Sequence, residues 1–112
     1  MPPRDDATRL RHMLDHAAEA LAMAEGRTRT DLDADRQFSL AIVRLMEIVG
    51  EAAARVSAPT RAAHPGIAWP QIIAFRNRLI HGYDEVDFDI LWRILCDDLP
   101  PLIDRLRGVT DA

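Results

Sequence analysis

Residues 76 to 83 read RNRLIHGY, which places Arg76, Asn77, Arg78, His81 and Tyr83 in one short stretch with only Leu79, Ile80 and Gly82 between them. These types together suit phosphate chemistry. Arginine grips a phosphate with a planar, bidentate fork, and histidine exchanges protons near neutral pH. Taken singly, each has a structural explanation too: Arg76 in an internal ion pair, His81 as a positive charge at a helix C-terminus, Tyr83 packed with its hydroxyl bonded. Taken together they form a candidate phosphate site at one helix end. No glycine-rich phosphate loop, lone carboxylate pair or Ser-His-Asp pattern competes with it.

The helix that must carry these groups starts near Pro70, which suits a first turn, and ends at Gly82. On it, Ile72, Phe75 and Leu79 define an apolar face with Ile73 and Ile80 along one margin. Arg76 falls within that face, where a charge is costly unless a carboxylate or phosphate pairs with it. Its expected partner is Glu47 or Glu51, or else it opens into a groove. Asn77 and His81 lie one turn apart on an adjoining face and can meet.

The remaining elements follow from periodicity. A first helix is predicted from about Asp5 to Glu25, capped by Asp5 or Asp6, with Leu10, Met13, Leu14, Ala17, Leu21 and Ala24 at helical spacing and Gly26 as its stop. Thr30 with Asp33 resembles a capping box opening a second helix that runs to about Val56. Its apolar stripe is Phe38, Ala41, Ile42, Leu45, Ile48, Val49, Ala52 and Val56. Residues 57–69 read as a loop with room for one short helical turn after Pro59. Asp87 caps a last helix reaching about Arg107, kinked where Pro100 removes a backbone bond to Cys96. The expected fold is all-α, an up-and-down bundle of four main helices in one domain spanning residues 1–112.

Composition narrows the function. The net charge is −4, so a general nucleic-acid coating protein is excluded and contact with a polyanion must be local. All 14 basic residues are arginine, a bias spread along the whole chain that marks no site. The single cysteine, Cys96, excludes a disulfide framework and points to a reducing compartment. No run approaches membrane-spanning length and the N-terminus has no apolar leader, so a cytoplasmic location is expected, with no membrane partner.

Further features lie outside this stretch. Arg44, Glu47, Glu51 and Arg55 form either a solvated ion-pair ladder on the second helix or a set in which Glu47 or Glu51 faces a groove and positions Arg76 or His81. Gly50 beside them costs helix stability and hints at close approach by another helix. His12 and His16 have the spacing of zinc ligands, but no third ligand is evident, so no metal is expected. Trp69 and Trp92 read as core or interface anchors, and His64 before Pro65 as structural.

The spacing Arg76-x4-His81-x-Tyr83 resembles the motif of the HepT-like toxins of the HEPN superfamily of helical ribonucleases. The likeness extends to RLRHMLDHAAEAL, LMEIVGEAA, HPGIAWPQIIAFRNRLIHGYDEVDFDILW and CDDLPPLIDRL, nearly the whole chain, with Asp84 as a departure where relatives often carry an aromatic or apolar residue. The resemblance implies an endoribonuclease without metal or other cofactor. In it the RNA's own 2′-hydroxyl attacks the adjacent phosphate, which makes RNA and not DNA the substrate. His81 would be general acid or base, and Arg76 would hold the phosphate. Asn77 would orient the histidine or the phosphate, and Tyr83 would line the cleft. A homodimer would bring two copies of Arg76 and Arg78 to one groove. It also implies a type VII-like toxin–antitoxin pair, in which an MNT-type nucleotidyltransferase antitoxin silences the toxin by attaching AMP to Tyr83. The competing readings are a non-catalytic helical module that docks the nucleotidyltransferase or a nucleotide, and a purely structural helical dimer.

Overall fold

A computed structural model describes residues 3–81 and 86–111, with the His81 side chain outside the description. Among the described residues there are helices and no strands. Helix α1, Arg4–Ala24, buries Leu10, Met13, Leu14, Ala17 and Ala20 along one side. Each large side chain so placed contributes about 1.5–3 kcal/mol. Neither Asp5 nor Asp6 caps it; its N-cap is Pro3. Asp6 is buried instead, and reaches across the fold. Its carboxylate accepts from the Ser57 backbone N–H at 2.9 Å and from the Ser57 and Thr60 hydroxyls at 2.5 Å each. This ties α1 to the first turn of helix α4, Ala58–Ala63, the short helix expected near Pro59.

The expected second helix is two helices, α2 (Arg29–Ala34) and α3 (Arg36–Arg55). The capping box is formed by Thr28 with Asp31, not Thr30 with Asp33. Asp35 breaks the run: its backbone is extended, and its carboxylate caps α3 by accepting from the Phe38 N–H while also accepting from Arg27. The Arg27 guanidinium lies 4.3 Å from the Phe38 ring centre, covering the joint. Helix α3 buries Phe38, Ile42, Leu45, Val49 and Ala52 as expected, and its C-cap Val56 is buried too; Met46 and Ala53 join the core, while Ala41 and Ile48 of the expected stripe are only half-buried.

Helix α5, Trp69–His81, begins beside Pro70 and packs on α3. The contact centres on Gly50: a Cβ there would lie 2.1 Å from Arg76 Cβ and 3.2 Å from the Ile72 carbonyl oxygen. Only a glycine permits so close a crossing. Trp69 is buried and donates its indole N–H to the His64 carbonyl at 3.0 Å.

The last helix is in three parts: α6 (Phe88–Arg93), a π-helical turn (Ile94–Asp98) and α7 (Leu99–Thr110). Asp87 caps α6 as expected, accepting from the Asp89 and Ile90 N–H groups. The expected kink before Pro100 takes the form of the π turn. Pro100 and Pro101 bring no N–H to a regular ladder, and Leu99 N–H bonds back to Ile94 five residues away. The wider turn keeps Leu91, Leu95 and Leu99, each four apart and all buried, on one side. Cys96 lies in this turn and is exposed. Helix α7 packs on α1, and α5 packs on α3. Among the described residues no helix is long and apolar enough to cross a membrane.

Candidate active site

The open side of the bundle, between α5 and the π turn with α7, is a cleft of about 360 Å³. Met46 and Val49 of α3 line its inner wall, Ile72 and Phe75 of α5 one side, and Ile94, Leu99 and Leu102 the other. Its polar groups are few: Gln71 and Arg76 on α5, Asp97 and Asp98 at the π turn, and Arg105 on α7. A mostly apolar hollow with a handful of polar groups is the usual make-up of a ligand site.

Arg76 is the group that needs explaining. Its Cβ and Cγ lie against Gly50, so the stem is held between two helices. Its Nε is buried with no hydrogen-bond partner among the described residues. One terminal nitrogen donates to the Asn77 side-chain oxygen at 2.9 Å. The carboxylate partner expected from the wheel is not there. Glu47 pairs with Arg44 at 3.2 Å and Glu51 with Arg55 at 3.2 Å, each within α3. Those pairs are largely exposed and contribute little. Arg76 instead lines the cleft within the chain. A positioned guanidinium that lines a cleft is equipped to take an anion.

The motif is only partly within view. Asn77 is exposed next to Arg76. His81 ends α5, one turn beyond Asn77, and its side chain is outside the described residues; so are Tyr83 and Asp84 altogether. Arg78 is exposed, two residues and therefore roughly half a turn from Arg76, and does not line the cleft. His12 and His16 meet edge-on, their ring centres 6.2 Å apart, and His16 Nδ1 lies 2.7 Å from the His12 carbonyl oxygen. No third potential ligand joins them among the described residues. Sequence reasoning missed the far wall of the cleft. Nothing local marks Asp97, Asp98 or Arg105, which join it only through tertiary packing. Gly66 was a signal in part, because a Cβ there would come within 2.2 Å of the Arg105 guanidinium that lies on it.

The class of protein defined so far is an all-α bundle with an arginine lining a cleft, on the helix that ends in histidine. Residues 13–109 match the family described as Ribonuclease HepT-like. A relative from Thermococcus cleftensis, named a probable ribonuclease HepT, is 34% identical over 93 residues, covering 80% of this chain and 84% of its own. Two others, whose names propose RNase activity, are each 28% identical. One, from Methanocaldococcus jannaschii, spans 91% of this chain and 94% of its own. The other, from Caldanaerobacter subterraneus subsp. tengcongensis, spans 89% of each. No solved structure matches the chain. The chain belongs to the HepT-like ribonuclease family.

Proposed function

We propose that this protein is a metal-independent endoribonuclease that cleaves RNA by attack of the substrate's own 2′-hydroxyl on the adjacent phosphate. The observation that carries the reading is Arg76: its stem is fixed against Gly50, its Nε is buried without an acceptor, and it lines a cleft on the helix that ends at His81. A phosphate in the cleft meets the guanidinium that lines it, and the guanidinium stabilises the charge that grows on the phosphorane oxygens. His81 moves the proton, taking it from the 2′-hydroxyl or giving it to the departing 5′-oxygen. Asn77, already bonded to Arg76, holds the guanidinium in line. Glu47 and Glu51 flank Gly50 on α3 and support the site through the local field, not through a bond to Arg76.

The working form is a homodimer in the cytoplasm that sets two copies of Arg76 and Arg78 along one groove. Family membership supports pairing with an MNT-type nucleotidyltransferase antitoxin that adenylylates Tyr83. The added phosphate would compete for Arg76 and repel RNA. The chemistry is tested by the product ends. Attack by the 2′-hydroxyl leaves a 2′,3′-cyclic phosphate and a 5′-hydroxyl on every cut; a 5′-phosphate product would mean that water attacks instead.

A further inference from the structure

We infer that the cleft beside Arg76 is a guanine slot, which receives the base of the nucleotide on the 5′ side of the cleaved bond. This rests on the ribonuclease reading of Arg76 and adds a base preference to it. Three observations point the same way. The cleft holds about 360 Å³ and has Ile72, Phe75 and Leu102 among its walls, which suits a flat ring stacked on an aromatic or apolar side chain. Arg76 lines it too, so a nucleotide whose phosphate sits on that guanidinium has its base within reach of the cleft.

The polar groups then select the base. Asp97 and Asp98 are exposed on one part of the lining and Arg105 on another, and none of the three forms an ion pair among the described residues. A carboxylate has two acceptor oxygens and no donor. Guanine alone among the four RNA bases offers it two adjacent donors, N1–H and the N2 amine. Guanine O6 and N7 form the matching acceptor pair for an arginine fork. These two edges adjoin, so a carboxylate and an arginine can be satisfied by one guanine at once. Adenine, cytosine and uracil each leave one of the two partners unmatched. A carboxylate near the site suits a neutral base edge, while the phosphate stays at Arg76. Fixing the base also fixes the ribose and its 2′-hydroxyl, the attacking group, against the phosphate.

The test is equilibrium binding of 3′-GMP, 3′-AMP, 3′-CMP and 3′-UMP to the full chain, followed by amide chemical shifts on the wild-type protein. The expected result is 3′-GMP binding at least about tenfold more tightly than the others, the discrimination one bidentate base contact supplies. Its shifts should concentrate in residues 66–76 and 94–105. Asp97→Ala with Asp98→Ala, and separately Arg105→Ala, should erase the preference and leave a weak affinity common to all four. Four equal affinities, a preference for another base, or shifts outside the cleft would overturn the slot. So would a guanine preference that survives both variants. Equal affinities in a protein that still cuts RNA would remove the slot and leave the ribonuclease reading standing. A mapped guanine preference in a protein that cuts no RNA would do the reverse.

Discussion

Arg76 concentrates the chemistry at the scale of single residues. The wheel position showed in advance that it sits within an apolar face, because 3.6-residue periodicity is readable from sequence. Its partner was not readable, because Glu47 and Glu51 are satisfied by Arg44 and Arg55 on their own helix. Arg76→Ala should lower RNA cleavage by a factor of about 10²–10³, the cost of losing one donor aimed at developing charge. Arg76→Lys keeps the charge without the planar fork and should recover only part of the loss. Single-turnover cleavage with circular dichroism as the fold control measures both. For Tyr83 the prediction concerns the phenol oxygen. Tyr83→Phe should gain no AMP-sized mass when incubated with ATP and the cognate nucleotidyltransferase; a gain equal to wild type would place the acceptor elsewhere.

Between elements, the decisive contacts are few and distant in sequence. Gly50 is where α3 and α5 cross, and Gly50→Ala must push Arg76 and the Ile72 backbone aside. It should cost about 1–3 kcal/mol by overpacking, seen as a lower thermal midpoint, and should impair cleavage by shifting Arg76. Asp6 holds α4 to α1. The Ser57 hydroxyl, the Thr60 hydroxyl and the Ser57 N–H all favour its ionised form, and its pKa is lowered despite its burial. A depressed folded pKa means that the group's stabilisation is whole above the unfolded value, about 3.9, and is lost as pH falls through the lower folded one. Asp6→Asn should therefore be less stable than wild type at neutral pH, with the gap closing as pH drops below about 4. Denaturant melts at several pH values measure this. The sequence carried the local parts of this architecture: Asp87 as a cap, Pro59 in a short helix, Pro70 in the first turn of α5. It hid the joint at Asp35, which has no glycine or proline to mark it, although an aspartate three residues before Phe38 was a usable signal. It also hid the bond from Asp6 to residue 57, because nothing local to either end records a contact 51 residues apart. Pro100 announced a disturbance but not its form, since a kink and a π turn both answer a missing N–H.

For the whole molecule, the proposed activity asks an acidic chain of net charge −4 to hold a polyanion. In the proposed homodimer, two arginine sites in one groove would resolve this locally. Light scattering at micromolar concentration should give twice the 12.6 kDa chain mass. RNA affinity should fall steeply with added salt, because phosphate contacts release counterions. The central claim is that Arg76 and His81 cut RNA without a metal. It is tested most directly by incubating RNA with wild-type protein and His81→Ala in EDTA. Wild type should cut at full rate, and the variant should be slower by a factor of about 10²–10⁴, the contribution of a positioned acid–base group. Loss of wild-type cleavage in EDTA that Mg²⁺ restores, or undiminished cleavage by the His81→Ala protein, would contradict it.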